Sequence, residues 1–497
     1  MNYNIETGAV ENVISLPICN RVINCDISED VNIPDGLPDV RRVLAVKENI
    51  LSPAKFIGAK SVDVSGNVDY SLVYLGADGN IYSAPFSAEY SFYLPIDNAE
   101  ASESISVICS LCAESSNVRL STPRRLHIRS GIRASAICFG RVISGEEIVG
   151  IEDESSIQRL ELTGDCAFFD CESSDIVTLT DEYLLTEGDR IIYSDANVFI
   201  TDVRIDGEVV RVGGEAVIKL LLQNGDSIDS VVRKLPFDAE TDLEELDIDD
   251  GDMLCRAYGS VNELDVSVID GRAHIEVGIV LDICMAQNRN IGYTRDVYST
   301  KQTCKAEYKK TVLPTVLFNK NVNITQSERM SVADIGFEQG TEILDVWGNA
   351  FCEEGALEHR RYVLRGKVRY KMLCKLNSDI KVCDCELPFK YEAELGDTDI
   401  FGVCADVKVM GANVRCDGEN VFVESELAIS ASAYGVRELE MLSKATFGNA
   451  VEQKKNQFVV CFKSADESPF DLAKRYCVPY DKITDEEGNS SFVIIER

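Results

Sequence analysis

The chain has 497 residues, with 49 basic against 84 acidic side chains and a formal charge of -35. So acidic a surface repels nucleic-acid phosphates and anionic lipid, which argues against both as partners and favours a basic protein surface. The length predicts about three domains, Met1 to Asn20 has no basic, apolar leader, and no apolar run approaches the roughly 20 residues that span a bilayer.

In chain order, the first distinctive segment runs from Ile33 to Leu44. Pro34-Asp35-Gly36 reads as a turn, and after Pro38 the spacing of Val40, Val43 and Leu44 predicts one or two helical turns docked on the next domain. Asp35, Pro38, Asp39 and Arg41 form a candidate contact surface there.

A repeated unit follows. Val62 to Phe86, Val210 to Phe237 and Tyr362 to Phe389 each begin as an alternating strand with a glycine on the apolar parity, at Gly66, Gly214 and Gly366. The alternation predicts strands with one buried and one wet face, and the recurring glycine predicts a bulge or the close approach of another backbone. Each segment ends in a Pro-Phe pair, Pro85-Phe86, Pro236-Phe237 and Pro388-Phe389, which predicts an edge strand or a strand end because proline cannot donate to a ladder. Further hairpins are signalled by Asp270-Gly271 and Asp417-Gly418 between alternating runs, with Pro123 marking the turn in the first unit. The reading is mainly β: three repeated antiparallel β-sandwich or barrel-like domains at 1–150, 151–295 and 296–445, each large enough for its own core.

Candidate chemistry along these units is sparse. The 18 cysteines fall mostly inside apolar strand patterns and, without an export signal, read as reduced core residues. Cys109 and Cys112 form a C-x-x-C within a strand, where residues three apart face opposite ways, and Cys383 and Cys385 lack further ligands, so no metal site is expected. Asp238 to Asp252 holds nine carboxylates without calcium-loop spacing and reads as a solvated loop. His127, His274 and His359 are far apart and read as surface imidazoles, and no hydrolase, zinc-protease or phosphate-loop motif occurs. These observations predict no enzyme and no cofactor.

The last segment changes character. Phe458 to Phe462 predicts a short strand; Ser468 is a candidate N-cap with Pro469 at the first helical position, and Phe470 to Tyr476 predicts a helix. Val478 to Ile483 predicts a second short helix and Phe492 to Ile495 a closing strand. This gives a βααβ module at 455–497, with a core of Val459, Phe470, Leu472, Ala473, Tyr476, Val478, Ile483, Val493 and Ile495.

Phe458-Val459-Val460 followed by Asp466-Glu467-Ser468-Pro469-Phe470-Asp471-Leu472-Ala473-Lys474-Arg475-Tyr476 resembles the LysM pattern. The Pro38-Asp39 segment, the Gly66 strand and Pro85-Phe86 resemble the SPOCS domain of clostridial sporulation proteins. The combination resembles the SPOCS-plus-LysM, SipL-like family of spore-coat morphogenetic proteins. That resemblance implies a non-enzymatic scaffold in the mother-cell cytoplasm, at the outer forespore surface, tethering the spore coat to the ATPase of its basement layer through the LysM module. Other coat proteins are further possible partners through open sheet edges. The partner-binding candidates are Phe470, Lys474, Arg475 and Tyr480. Most LysM modules bind N-acetylglucosamine polymers, and the corresponding loops here carry Asp466, Glu467, Ser468 and Asp485. Carboxylates in those loops weaken glycan binding, which leaves a peptidoglycan-binding wall protein as the alternative.

Overall fold

The computed structural model describes residues 12–58, 60–96, 104–173, 176–207, 209–242, 253–338, 340–352, 356–358, 360–376, 379–395, 399–417, 419–451, 458–462, 468–484 and 492–496. Within them the protein is almost wholly antiparallel strand, with a single α-helix. The mainly-β reading therefore holds.

The first unit comprises β1 (Asn12–Asn32), β2 (Val40–Ile50), β3 (Ala54–Ile57), β4 (Ser61–Gly76), β5 (Ile81–Pro95), β6 (Ser104–Thr122) and β7 (Arg125–Ser144). One sheet has the order β1-β7-β6; the other has β4 at its centre, with β5 on one side and β2 and β3 end to end on the other. A short strand β8 (Glu147–Val149) leads on. The second unit runs through β9 (Ile157–Ser173), β10 (Val177–Leu184), β11 (Arg190–Asp206), β12 (Val209–Asn224), β13 (Ser227–Asp242), β14 (Met253–Ile269) and β15 (Arg272–Ser299). The third runs through β16 (Gln302–Ser331), β17 (Glu342–Cys352), β18 (Ala356–Glu358), β19 (Arg361–Leu376), β20 (Asp379–Glu394), β21 (Asp399–Asp417) and β22 (Asn420–Ala450).

All three units share one topology. The chain enters on an edge strand, builds a second sheet around β4, β12 or β19, and returns as a hairpin whose last strand, β7, β15 or β22, is the centre of the first sheet. Facing sheets bury their alternating apolar residues in one core per unit. The Asp270-Gly271 turn has φ of 51° and 76° at its two central positions, as a two-residue hairpin of primed type requires. Gly418, in the matching third-unit turn, lies outside the described residues.

The repeated glycine is a site of close approach. Gly66, Gly214 and Gly366 stand opposite Tyr90, Phe237 and Phe389 on the neighbouring edge strand. A Cβ at these glycines would come 2.6 Å from Tyr90 Oη, 2.4 Å from Phe237 Cζ and 2.4 Å from Phe389 Cζ. The aromatic ring lies over the bare backbone, in the manner of cross-strand aromatic rescue. The three Pro-Phe pairs are not equivalent in their pairing: in the first unit the covering ring is Tyr90, four residues beyond Phe86, which instead stacks on Tyr70 at 4.8 Å. Pro85, Pro236 and Pro388 do lie on the edge strands β5, β13 and β20, but within them and not at their ends.

A second device recurs in two units. The buried Tyr370 hydroxyl meets Ser425 Oγ across the sandwich at 2.5 Å, and Tyr70 meets Ser130 in the same way. In the second unit the matching pair is Ile218 and Val277, both buried, so a polar pair was exchanged for an apolar pair without leaving an orphan.

The predicted helix after Pro38 is the strand β2. Register shifts between Val40 and Arg42 and between Val43 and Ala45 each insert an extra residue, and two bulges turn a period of two into a helix-like spacing of three and four. The second bulge recurs at Ile192 and Leu344. Those residues belong to a junction between units: Leu44, Val73 and Ile81 meet Ile192, Leu221 and Ile228 and also Leu344, Leu373 and Ile380, three sets of matching positions in one apolar cluster. A second such cluster brings together Phe139, Ala286 and Tyr434, again matching positions, with Phe169 stacked 3.8 Å from Phe139. The units thus form a quasi-three-fold body inside one chain.

Candidate functional site

The C-terminal module consists of β23 (Phe458–Phe462), α1 (Pro469–Tyr476), a 3₁₀ turn at Tyr480–Lys482, β24 (Ile483–Thr484) and β25 (Phe492–Glu496). Only the first of the two predicted helices forms. Between Val478 and Ile483 the chain has room for a single 3₁₀ turn before it pairs as β24 with β25, and Pro479 supplies no amide donor. Helix α1 begins with a reciprocal capping box: Ser468 Oγ accepts from the Asp471 amide at 3.2 Å, and Asp471 accepts from the Ser468 amide at 2.9 Å. The Ser468 hydroxyl, 2.7 Å from Asp471 Oδ2, is the main cause that holds the Asp471 carboxyl below its usual range, with the Ser468 amide adding to it.

The inner face of α1 docks on the body. Phe470, Leu472, Ala473 and Val478 cluster with Tyr298 of β15, and Leu160 of β9 packs alongside. The Tyr298 ring meets Phe470 edge-on at 5.1 Å, and its hydroxyl donates to the Val478 carbonyl at 2.7 Å. Lys474 Nζ donates to both Asp296 oxygens at 2.6 and 2.7 Å, while the Tyr308 hydroxyl donates to the same carboxylate at 2.7 Å. The Tyr480 amide donates to Gln158 Oε1 at 3.2 Å.

The four partner-binding candidates therefore divide. Phe470 is buried and Lys474 is held by Asp296, so both serve attachment of the module, whereas Arg475 and Tyr480 are exposed. The receptor residues Gln158, Asp296, Tyr298 and Tyr308 carried no signal in the sequence, because nothing local marks a strand end as a docking surface. Of the glycan candidates, Ser468 spends its hydroxyl on the cap, and Asp466, Glu467 and Asp485 lie outside the described residues. The predicted core positions Val493 and Ile495 have side chains outside the described set.

The N-terminal motif is stapled from within. Arg124, in the β6–β7 turn, donates to the carbonyls of Ile33, Pro34 and Leu37 and to Asp39 Oδ1, with Asp35 at 3.7 Å. The Tyr74 hydroxyl donates to the Pro38 carbonyl at 3.1 Å. Pro38 and Asp39 thus shape a loop, while Arg41 points to solvent.

Other sequence candidates stay separate. His127 sits by Asp30 and His274 by Glu182, on different units, and His359 is outside the described residues. Burial pushes the Cys109 and Cys112 thiols up to about 12, far from thiolate character at neutral pH. Asp238 to Asp242 of the acidic run continue β13 as strand, and residues 243–252 are outside the described set. Among the described residues no cluster of three or more potential metal ligands occurs, and no helix is long and apolar enough to cross a membrane.

Clefts open between units. One of about 560 Å³ separates the first from the second; Lys47, Glu48, Asn49, Asp69 and Ser71 form one wall, and Tyr193, Asp195, Glu263 and Asp265 lie opposite. This volume suits a small ligand or a few residues of peptide. Lys47 is ion-paired with Asp195, and Asn49 Nδ2 donates to the Val261 carbonyl at 3.2 Å. Burial raises the Glu48 carboxyl to about 7, opposed by Ser116 and by the Lys371 ammonium. A cleft of about 270 Å³ lies between the third and first units.

No family model matches the chain, and no curated protein and no solved structure matches it.

Proposed function

We propose that the chain is a non-enzymatic scaffold of spore-coat assembly, an adaptor whose C-terminal module engages the ATPase of the coat basement layer at the forespore surface. The observation that carries this reading is the division of labour in the chain. A body of three β-sandwiches locked around shared apolar junctions carries a small module by one face of its helix, and Arg475 on that helix and Tyr480 in the turn after it are exposed. Exposed aromatic and arginine side chains are the types that dominate protein interfaces. The LysM-like and SPOCS-like segments supply the family expectation, and the exposure of Arg475 and Tyr480 supports these two as the contact.

The test uses the full chain against immobilised basement ATPase and, in parallel, against insoluble peptidoglycan. Arg475→Glu with Tyr480→Ala should lower ATPase capture at least about tenfold, the cost of a modest hot spot, with an unchanged circular dichroism spectrum. Undiminished capture by the double variant would remove this face, and capture by peptidoglycan alone would make the protein wall-associated.

A further inference from the structure

The quasi-three-fold body makes its three inter-unit clefts comparable, and the one between the first and second units, bridged by Lys47–Asp195 and Lys55–Asp282, lacks a cation at one row where the other two have it. In each unit one cross-strand row, at the same distance from the returning hairpin, points toward the next unit. The row is Cys112 opposite Arg133 in the first unit, Ser260 opposite Val280 in the second, and Lys408 opposite Ala428 in the third.

Two of these rows supply a cation that bridges a cleft. Arg133 of the first unit donates to the Cys352 carbonyl of the third at 3.3 Å. Lys408 of the third unit donates to the Gly259 and Val198 carbonyls of the second at 2.6 and 3.3 Å, and lies 4.1 Å from the centre of the Tyr258 ring. By the same rotation the second unit should send a cation to the first, but Ser260 and Val280 stand there. The Ser260 hydroxyl is buried and has no hydrogen-bond partner among the described residues.

The neighbouring cleft is also the one with uncompensated negative charge. Asp69, Glu263 and Asp265 line it, and no described cation forms an ion pair with any of them; the one lysine present, Lys47, is held by Asp195. The Tyr193 ring lines the same cleft, is 3% exposed, and its hydroxyl has no partner among the described residues. Carboxylates facing one another across a half-enclosed space raise the local preference for a cation well above that of an open surface.

We infer that the cleft between the first and second units is a receptor for a lysine or arginine side chain carried on an extended partner segment, which supplies in trans the cation that Arg133 and Lys408 supply within the chain. The space of about 560 Å³ accommodates a few residues of peptide around that side chain. This site is remote from Arg475 and Tyr480 in the sequence and does not depend on the module's role.

The test titrates the full chain with an acetylated, amidated Ala-Lys-Ser-Lys-Ala peptide, with its glutamate counterpart, and with spermidine as the free-polyamine arm. Trp347 is the single tryptophan and its ring lies 6.2 Å from that of Tyr193, so its fluorescence gives a local readout beside calorimetry. The expected result is binding of the lysine peptide and not of the glutamate peptide, weakened at least about tenfold by Asp69→Asn with Asp265→Asn. Ser260→Lys should weaken it similarly by placing the missing cation in the chain. A control pair on the third unit, Glu328→Gln with Asp417→Asn, should change nothing. Tighter binding of spermidine than of the peptide would overturn the peptide assignment. Equal losses from the cleft and control pairs, or no binding by the wild-type chain, would overturn the site.

Discussion

Replacing the repeated glycines by alanine tests the device that defines all three units, and the geometry predicts a graded series. At Gly366 a Cβ would stand 2.3 Å from the Phe351 carbonyl oxygen and 2.4 Å from Phe389 Cζ, and at Gly214 it would stand 2.6 Å from the Phe199 carbonyl oxygen and 2.4 Å from Phe237 Cζ. A backbone carbonyl inside a ladder cannot retreat, so each substitution should cost about 3 kcal/mol, the upper end for overpacking. At Gly66 the obstruction is only the far end of Tyr90, 2.6 Å away, which can swing at the loss of its hydrogen bond to the Leu51 carbonyl. The cost there should be about 1 kcal/mol. Gly292 has no atom within 4 Å of its would-be Cβ and no positive φ, so alanine should change stability by less than about 0.5 kcal/mol. Guanidinium unfolding followed by circular dichroism and Trp347 fluorescence ranks the four variants. In the Gly366→Ala background, Phe389→Ala should cost about 1 kcal/mol less than it does alone, because the ring is then already displaced. Equal costs at Gly66 and Gly366, or a neutral Gly366→Ala, would refute the close-approach account.

Two further outcomes follow from buried carboxylates. Glu48 has a carboxyl raised by burial from 4.5 to about 7, so between these values the folded state holds a proton that the unfolded state has released. Stability should therefore fall as pH rises from 4.5 to 7 and level off above, by at most about 3 kcal/mol from this group; Glu48→Gln should flatten that decline, and an unchanged pH profile in urea unfolding would count against it. Asp296→Ala would leave Lys474 and the Tyr308 hydroxyl without their shared acceptor, weakening the docking of α1 by about 2 kcal/mol. Amide exchange in Leu472 to Val478 should then accelerate about thirtyfold while the Gly66, Gly214 and Gly366 strands keep their protection, and unchanged exchange in α1 would show that Tyr298 and Phe470 suffice.

The parts of this fold that were legible in the sequence are those with a local cause. Alternation around Gly66, Gly214 and Gly366 marks the central strands because a half-buried strand has period two whatever its surroundings. Asp270-Gly271 and the Ser468-Pro469 start of α1 were readable because positive φ and an N-cap impose residue types directly. The misreadings have non-local causes. Val40, Val43 and Leu44 looked helical because two bulges broke the parity of β2, and a bulge is fixed by the strand alongside. Phe86 looked equivalent to Phe237 and Phe389 because register belongs to the pairing of β4 with β5 and not to the spacing along either. Phe470 and Lys474 looked available because their partners, Tyr298 and Asp296, stand more than 170 residues earlier in the chain.

The junction between the units shows why three sandwiches are joined in one chain and not assembled from identical copies. The apolar rows Leu44, Ile192 and Leu344 and Val73, Leu221 and Leu373 are close to interchangeable, and by themselves would permit any order of units. The polar rows beside them are not. The position held by Lys47 in the first unit is Asp195 in the second and Trp347 in the third, and Lys47 pairs with Asp195. Lys219 of the second unit pairs with Asp345 of the third and donates to the Val346 carbonyl at 2.7 Å. Identical copies would place lysine against lysine or aspartate against aspartate at the first of these points, and copies of the second unit would set Lys219 against Tyr193 in place of Asp345 at the other. A buried ion pair adds little net stability, but breaking one leaves an uncompensated charge and costs several kcal/mol. These pairs therefore act mainly by penalising the wrong neighbour. The row of Ser260 and Val280 carries no cation, which makes the cleft between the first and second units chemically unlike its two counterparts.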